Sequence, residues 1–177
     1  MVPPISRWIN GELTFKQIKK IRVEDLLGRP SINIKTNQIQ KDLVDKIIFV
    51  TGAAGSIGSE IVRQLLNYDF KELVLIDNAE TPMFFLEMEL LQLAKGKKYT
   101  LYIRNICQQE AMEHLFEQYR PNLIFHAAAY KHVPLMENNP TQAVQNNVWG
   151  TKVLADLSVK YGAEKFVMIL MRRLKLG

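Results

Sequence analysis

Three glycines spaced three apart, Gly52, Gly55 and Gly58 of TGAAGSIGSE, come directly after the apolar run KIIFV and open an amphipathic stretch. A first glycine permits the tight turn from strand to helix, a second lets backbone come close to a pyrophosphate, and a third lets the helix pack on the strand. Phosphates would then rest on the helix N-terminus, where backbone N–H groups lack internal partners and the helix dipole favours an anion. Ala54, Ser56 and Ile57 belong to the same loop and are candidates, with the glycines, for holding such a ligand. Glycines also crowd ordinary turns, so the triplet needs support from elsewhere in the chain.

That support is Asp77, which ends the run ELVLID nineteen residues beyond Gly58. An acid at this distance accepts hydrogen bonds from the adenosine ribose hydroxyls of a dinucleotide. Taken alone, it would be a turn aspartate. No Arg or Lys follows it directly, so a 2′-phosphate would meet a carboxylate without compensation, which favours NAD over NADP as the cofactor. Asn105, with Ile106 beside it, follows the third apolar run and is placed to reach the adenine, although turn chemistry would explain it too.

Residues 125–140, FHAAAYKHVPLMENNP, carry the next chemistry: an apolar run ends in three alanines and passes into a loop with a Tyr, a Lys, a His and a Glu. Small residues let a ligand approach backbone, and in an open α/β sheet ligands bind just outside the carboxyl ends of the strands. A buried strand followed by an ordinary surface loop would read the same way on composition alone.

The elements that must position these residues are legible as a repeating pattern. From Lys46 onward, short apolar runs alternate with helix-length amphipathic segments, the signature of βαβ units and a parallel sheet. The expected strands are KIIFVT, ELVLID, YTLYIR, NLIFHA and KFVMIL, with four helices between them. Thr81 with Pro82, and Asn139 with Pro140, read as helix starts, and Gly96 as a helix stop. Met112, Leu115, Phe116 and Tyr119 recur at helical spacing and read as core. The fold class is therefore α/β: a Rossmann-like, doubly wound parallel sheet of about five strands, incomplete at its C-terminal side. Residues 1–45 read as an N-terminal arm or linker, and residues 46–177 as a partial NAD(P)-binding Rossmann domain.

Composition bounds the rest. A chain of 177 residues, 47% hydrophobic, suffices for one domain with a core plus an arm. The single cysteine, Cys107, excludes an internal disulfide and a cysteine-built zinc site, and the three histidines suggest no metal cluster. With no apolar run of membrane-spanning length and no signal peptide, the chain reads as soluble and cytoplasmic. Although the net charge is +5, the basic residues are scattered, so no nucleic-acid partner is expected and anionic small ligands fit better.

The succession TGAAGSIG, ELVLID, FHAAAYKHVPLMENNP and NNVWGT resembles the extended short-chain dehydrogenase/reductases. Within them it is similar to the polysaccharide-biosynthesis nucleotide-sugar 4,6-dehydratases of the UDP-N-acetylglucosamine type, over residues 18–169. The resemblance implies a lyase acting on a UDP-amino sugar with bound NAD. In that chemistry a hydride leaves carbon 4 of the sugar, water is eliminated across carbons 5 and 6, and the hydride returns at carbon 6. It further implies that Ala127, Ala128 and Ala129 line the nicotinamide side, that Lys131 and His132 face the nucleotide-sugar pocket, and that Asn147 fixes backbone near the fourth strand. Pinning the loop is the alternative for Lys131 and His132, and Glu137 reads as a structural carboxylate. Homo-oligomers, and a parent held at the inner face of the cytoplasmic membrane by an upstream half absent here, are also implied, because IKKIRVEDLLGRP resembles the segment that joins such a half to the catalytic domain.

One departure stands out, and it begins after Ile169. Beyond AEKFVMI the family pattern expects Ser-Thr-Asp-Lys, then a Tyr or Met separated by three residues from a Lys, whereas this chain follows Ile169 with LMRRLKLG. The expectation is a truncated or frameshifted chain with no catalytic residue of that set, inactive alone, because general acid–base groups contribute roughly 100- to 10,000-fold each.

Overall fold

The structure is a computed structural model that describes residues 36–169. Most of the expected arm lies outside the described residues. In chain order the elements are α1 (Thr36–Leu43), β1 (Ile47–Thr51), α2 (Ser56–Leu65), β2 (Glu72–Asp77), α3 (Glu80–Leu93), β3 (Tyr99–Ile103) and α4 (Gln109–Tyr119). There follow β4 (Leu123–His126), α5 (Val133–Glu137), α6 (Pro140–Val144), a π-helical turn (Gln145–Gly150), α7 (Thr151–Lys160) and β5 (Lys165–Met168).

All strand pairings are parallel, in the order β3-β2-β1-β4-β5. A parallel strand covered on both faces reads as a continuous apolar run, which is why IIFVT and ELVLI are recognisable. Alternation then divides their side chains between two cores. Ile48, Val50, Leu73 and Leu75 pack with Val62 and Leu65 of α2 and Met83, Leu86 and Leu90 of α3. Phe49, Val74, Ile76 and Ile124 pack with Met112, Leu115 and Phe116 of α4 and Val153, Leu154 and Leu157 of α7. Phe49 meets Phe116 edge to face, with ring centroids 5.2 Å apart, so this second core is knit by aromatic contact as well as by burial.

The chain winds outward from β1 to β2 and β3, then crosses back to lay β4 on the other side of β1. The reversal leaves a crevice at the carboxyl ends of β1 and β4, the topological switch point at which such sheets take ligands. Register puts Thr51 opposite His126 there, so Gly52 and Ala127 emerge side by side.

Four details differ from the sequence reading. The compact unit begins at Thr36 instead of Lys46, because Leu43 of α1 is 3% exposed in the first core and Lys165 of β5 ion-pairs with Asp42. The helix expected to start with Thr81 as its cap starts at Glu80, after an extended Ala79 whose N–H the Asp77 carboxylate accepts. Where one helix was expected between β4 and β5, the chain makes α5, α6, the π-helical turn and α7, with Pro134 and Pro140 each at the start of a short helix. The last strand, expected to run through Ile169 and Leu170, ends at Met168. Ile169 still donates its N–H to the His126 carbonyl at 3.0 Å, which holds the chain against the end of β4 for one residue more.

Candidate functional site

Gly52 stands at φ +68°, and a Cβ there would lie 2.6 Å from the backbone of Ala127 and Ala128. Only glycine lets the turn after β1 pass against the end of β4. Gly58 serves differently, because a Cβ would come within 1.9 Å of the Gly52 carbonyl oxygen and its absence is what lets α2 pack down on the loop. At Gly55 a Cβ would meet only that same oxygen at 3.2 Å and otherwise face open space. The three positions thus divide into turn, approach and packing.

Ser59 is the first residue of α2 whose N–H finds an acceptor, the Gly55 carbonyl at 2.8 Å. Among the described residues no acceptor is found for the N–H groups of Ser56, Ile57 and Gly58. These donors, at the positive end of a ten-residue helix, are free for an anion. Lys131 adds a charge: its Nζ donates to Ser56 Oγ at 2.8 Å, spanning from the loop after β4 to the glycine loop. His132 precedes α5 and is exposed.

Asp77, half-buried at the end of β2, accepts the Ala54 N–H through Oδ2 and the Ala79 N–H through Oδ1, each at 3.0 Å. Both oxygens keep a further acceptor site. A cleft of about 140 Å³ is lined by Gly52, Gly55, Asp77 and Ile106 together with Ala127, Ala128, Ala129 and Asn146. Asn78 and Arg104 line it too, and both also line a more open hollow of about 500 Å³ with Asn105, Gln108 and His114. The Asn105 side chain accepts the Cys107 N–H at 2.9 Å, a turn-forming bond, while the residue also borders the hollow. Gly150 makes room for Ile106, whose Cδ1 would lie 2.6 Å from a Cβ at that glycine.

Beyond the alanines, Asn147 clamps Tyr130 in both directions: Oδ1 accepts the Tyr130 N–H at 2.8 Å and Nδ2 donates to its carbonyl at 3.0 Å. Asn146, not singled out from the sequence, donates to the Ala128 carbonyl at 3.2 Å. Both sit on the π-helical turn, which turns consecutive asparagines toward one loop. His126, also missed, is 3% exposed and lies between two threonines, Nδ1 at 2.8 Å from Thr51 Oγ1 and Nε2 at 2.8 Å from Thr151 Oγ1. Thr151 directs its one hydroxyl hydrogen to the Asn147 carbonyl, so Nε2 must be the donor to Thr151 and Nδ1 the acceptor from Thr51. The ring is accordingly neutral, and burial pushes its pKa down to about 4. Arg104 was missed as well: it lines the cleft that Asp77 lines, and its guanidinium donates to the Ile103 carbonyl at 3.0 Å.

The catalytic segment that the family pattern expects after Ile169 falls on positions outside the described residues, as does the LMRRLKLG that stands there. Ile169 itself, half-buried and bonded to the end of β4, brings the chain to the carboxyl edge of the sheet where that segment would start. Among the described residues no cluster of potential metal ligands exists, and no helix is long and apolar enough to cross a membrane.

A doubly wound sheet with a glycine turn, an acid at the end of β2 and a small-residue wall after β4 defines a Rossmann-like domain of the short-chain dehydrogenase/reductase class. The chain belongs to the family described as polysaccharide biosynthesis protein, whose model matches residues 48–171. It is 37% identical over 169 residues to the capsular polysaccharide biosynthesis protein CapD of Staphylococcus aureus, covering 95% of this chain and 28% of that protein. Against the probable polysaccharide biosynthesis protein EpsC of Bacillus subtilis it is 38% identical, covering 96% and 28%. A dTDP-glucose 4,6-dehydratase of Salmonella typhimurium is 32% identical over 64% of this chain and 31% of its own length. Among solved structures, Pen from Bacillus thuringiensis superposes with TM-score 0.65 at 27% identity, over 71% of this chain and 37% of that one. The Thermus thermophilus UDP-glucose 4-epimerase complex with NAD does so with TM-score 0.56 at 28% identity, over 68% and 36%. The chain spans little more than a quarter of the length of CapD and EpsC.

Proposed function

We propose that these residues are the dinucleotide-binding half of a nucleotide-sugar 4,6-dehydratase of the UDP-N-acetylglucosamine type, with NAD as cofactor. The observation that carries the reading is the conjunction of a cleft lined by Gly55, with its open approach, and by Asp77, with unpaired N–H groups at Ser56, Ile57 and Gly58 directly after Gly55. A pyrophosphate fits the N–H groups and the helix dipole, a ribose diol fits Asp77, and an adenine fits the hollow beside Asn105. The flat face of Ala127, Ala128 and Ala129 suits a nicotinamide ring, held in place through Asn146 and Asn147. When bound, the cofactor supplies a hydride acceptor and donor for a sugar carbon. The chain's own part is to hold the phosphates, keep the alanine wall rigid and present Lys131 at the mouth, where it neutralises phosphate charge.

A kinship with a dTDP-glucose 4,6-dehydratase and with a UDP-glucose 4-epimerase supports a nucleotide-sugar substrate, whose nucleotide and sugar the larger protein would complete. A second reading rests on the residues that follow Ile169: LMRRLKLG stands where Ser-Thr-Asp-Lys is expected, so the 177-residue polypeptide by itself binds dinucleotide and leaves sugars unchanged. Incubation of the purified chain with NAD and UDP-N-acetylglucosamine, followed by proton NMR, separates the two. A 4-keto-6-deoxy product supports turnover by the chain itself, binding without product supports the second reading, and absence of NAD binding overturns both.

A further inference from the structure

His126 occupies a place in the sheet that an apolar side chain would fill. It is buried, its ring lies against Phe166 of β5 with centroids 5.8 Å apart, and it does not line the cleft. A polar group so placed is tolerated when each of its bonds is made, and here both ring nitrogens have partners. Those bonds belong to a closed circuit. The Thr51 hydroxyl donates to Nδ1, Nε2 donates to Thr151 Oγ1, and the Thr151 hydroxyl donates to the Asn147 carbonyl. The Asn147 side chain grips the backbone of Tyr130, and Asn146 donates both to Asn147 Oδ1 and to the Ala128 carbonyl. From Tyr130 the chain runs back through the three alanines to Ala127, whose N–H returns to the Thr51 carbonyl at 2.9 Å.

The alanines have no polar side chain with which to hold their own shape. The Ala129 N–H bonds the Ala127 carbonyl at 3.0 Å, so the wall folds as a three-residue turn at Ala128. That turn is held at one end by β1 and at the other by the two asparagines. The asparagines sit on the π-helical turn, a rare conformation that clusters at functional sites. Within that turn the Thr151 N–H bonds the Val148 carbonyl, while the Thr151 hydroxyl meets the His126 ring and so ties the turn to β4. We propose that His126 is a positioning residue for the nicotinamide end of the dinucleotide site: by holding Thr151, and through it Asn147 and Tyr130, it keeps the alanine wall where a nicotinamide ring packs. The inference rests on the reading of this cleft as a dinucleotide site and adds to it a residue outside the cleft lining. The relay ends at the wall, away from the N–H groups of Ser56, Ile57 and Gly58 and from Asp77, so it bears on one half of the ligand only.

Calorimetric titration of the full 177-residue chain with NAD and with ADP-ribose, which is NAD without its nicotinamide, separates the two halves, and melting temperature checks folding. Wild type should bind NAD more tightly than ADP-ribose, and Gly55→Ala should weaken both alike. His126→Phe fills the space but makes neither bond; it should weaken NAD about fivefold to tenfold and ADP-ribose less than about twofold. Thr151→Val breaks the next link with His126 in place and should show the same selective loss. His126→Gln and Thr151→Ser keep the bonds and should stay within about twofold of wild type for both ligands. The double variant His126→Phe/Thr151→Val should be no worse than either single one, because both cut one chain of bonds. Wild type that binds the two ligands equally, or variants that lose both together or neither, would overturn the inference and leave the dinucleotide site standing. A chain that binds neither ligand would overturn that site and the inference with it.

Discussion

The Asp77 carboxylate reaches from the end of β2 to the glycine loop, where its Oδ2 accepts the Ala54 N–H at 3.0 Å. Its other oxygen holds Ala79 at the start of α3, so one side chain shapes two turns and still presents acceptors to the cleft. Asp77→Asn keeps one acceptor and loses the charge. It should cost about 1–2 kcal/mol of stability, since hydrogen bonds to a charged group exceed neutral ones. Because the carboxylate opposes a 2′-phosphate, wild type should bind NAD more tightly than NADP, and Asp77→Asn should narrow that ratio in a direct binding titration.

Gly58 and Gly55 should respond oppositely to alanine. At Gly58 the added Cβ would lie 1.9 Å from a backbone oxygen, so the packing of α2 must shift, at about 3 kcal/mol. At Gly55 the only neighbour is 3.2 Å away and φ is −70°, so the fold should survive while the approach to the phosphates is obstructed. Urea unfolding and NAD titration on the two variants give the contrast.

His126 makes stability depend on pH. Its folded pKa is about 4 against an ordinary 6.5, so below 6.5 the unfolded chain binds more protons than the folded one. Stability is therefore full above pH 6.5 and falls as pH drops toward 4, by about 3 kcal/mol over the window. Unfolding measured at steps across this range should show that slope. His126→Gln, which can accept from Thr51 and donate to Thr151, should flatten it.

Lys131 should matter for ligand and not for fold. Its only described bond is to Ser56 Oγ, on an exposed surface, so Lys131→Ala should change stability by less than about 0.5 kcal/mol. Dinucleotide affinity should fall about fivefold at low salt and less at high salt, where the lost charge was already screened.

Much of this architecture is legible in the amino-acid order. The runs around Phe49, Val74 and Ile124 are buried on both faces, so they show as unbroken apolar segments, and the glycine loop and Asp77 announce themselves by spacing. The relay through His126 is not legible. Thr51 is 75 residues away and Thr151 is 25, and only the parallel register of β1 with β4 brings them around one ring. Asn146 escapes notice because a regular helix would not turn it toward the same loop as Asn147; the π-helical turn does. α1 reads as arm because TNQIQKDL is mostly polar, although Ile39 and Leu43 pack on the core. Arg104 lies on the exit from β3 and not next to Asp77 in sequence, so spacing does not reveal that one cleft joins them.

The central claim is that the glycine loop of this chain holds a nicotinamide dinucleotide, and calorimetric titration of NAD into wild type and Gly55→Ala tests it most directly. The expected result is one site per chain with a dissociation constant of about 10 µM or tighter, weakened at least about tenfold in Gly55→Ala with the fold intact. Folded protein that gives no binding heat at millimolar NAD, or equal affinity in the two proteins, would contradict it.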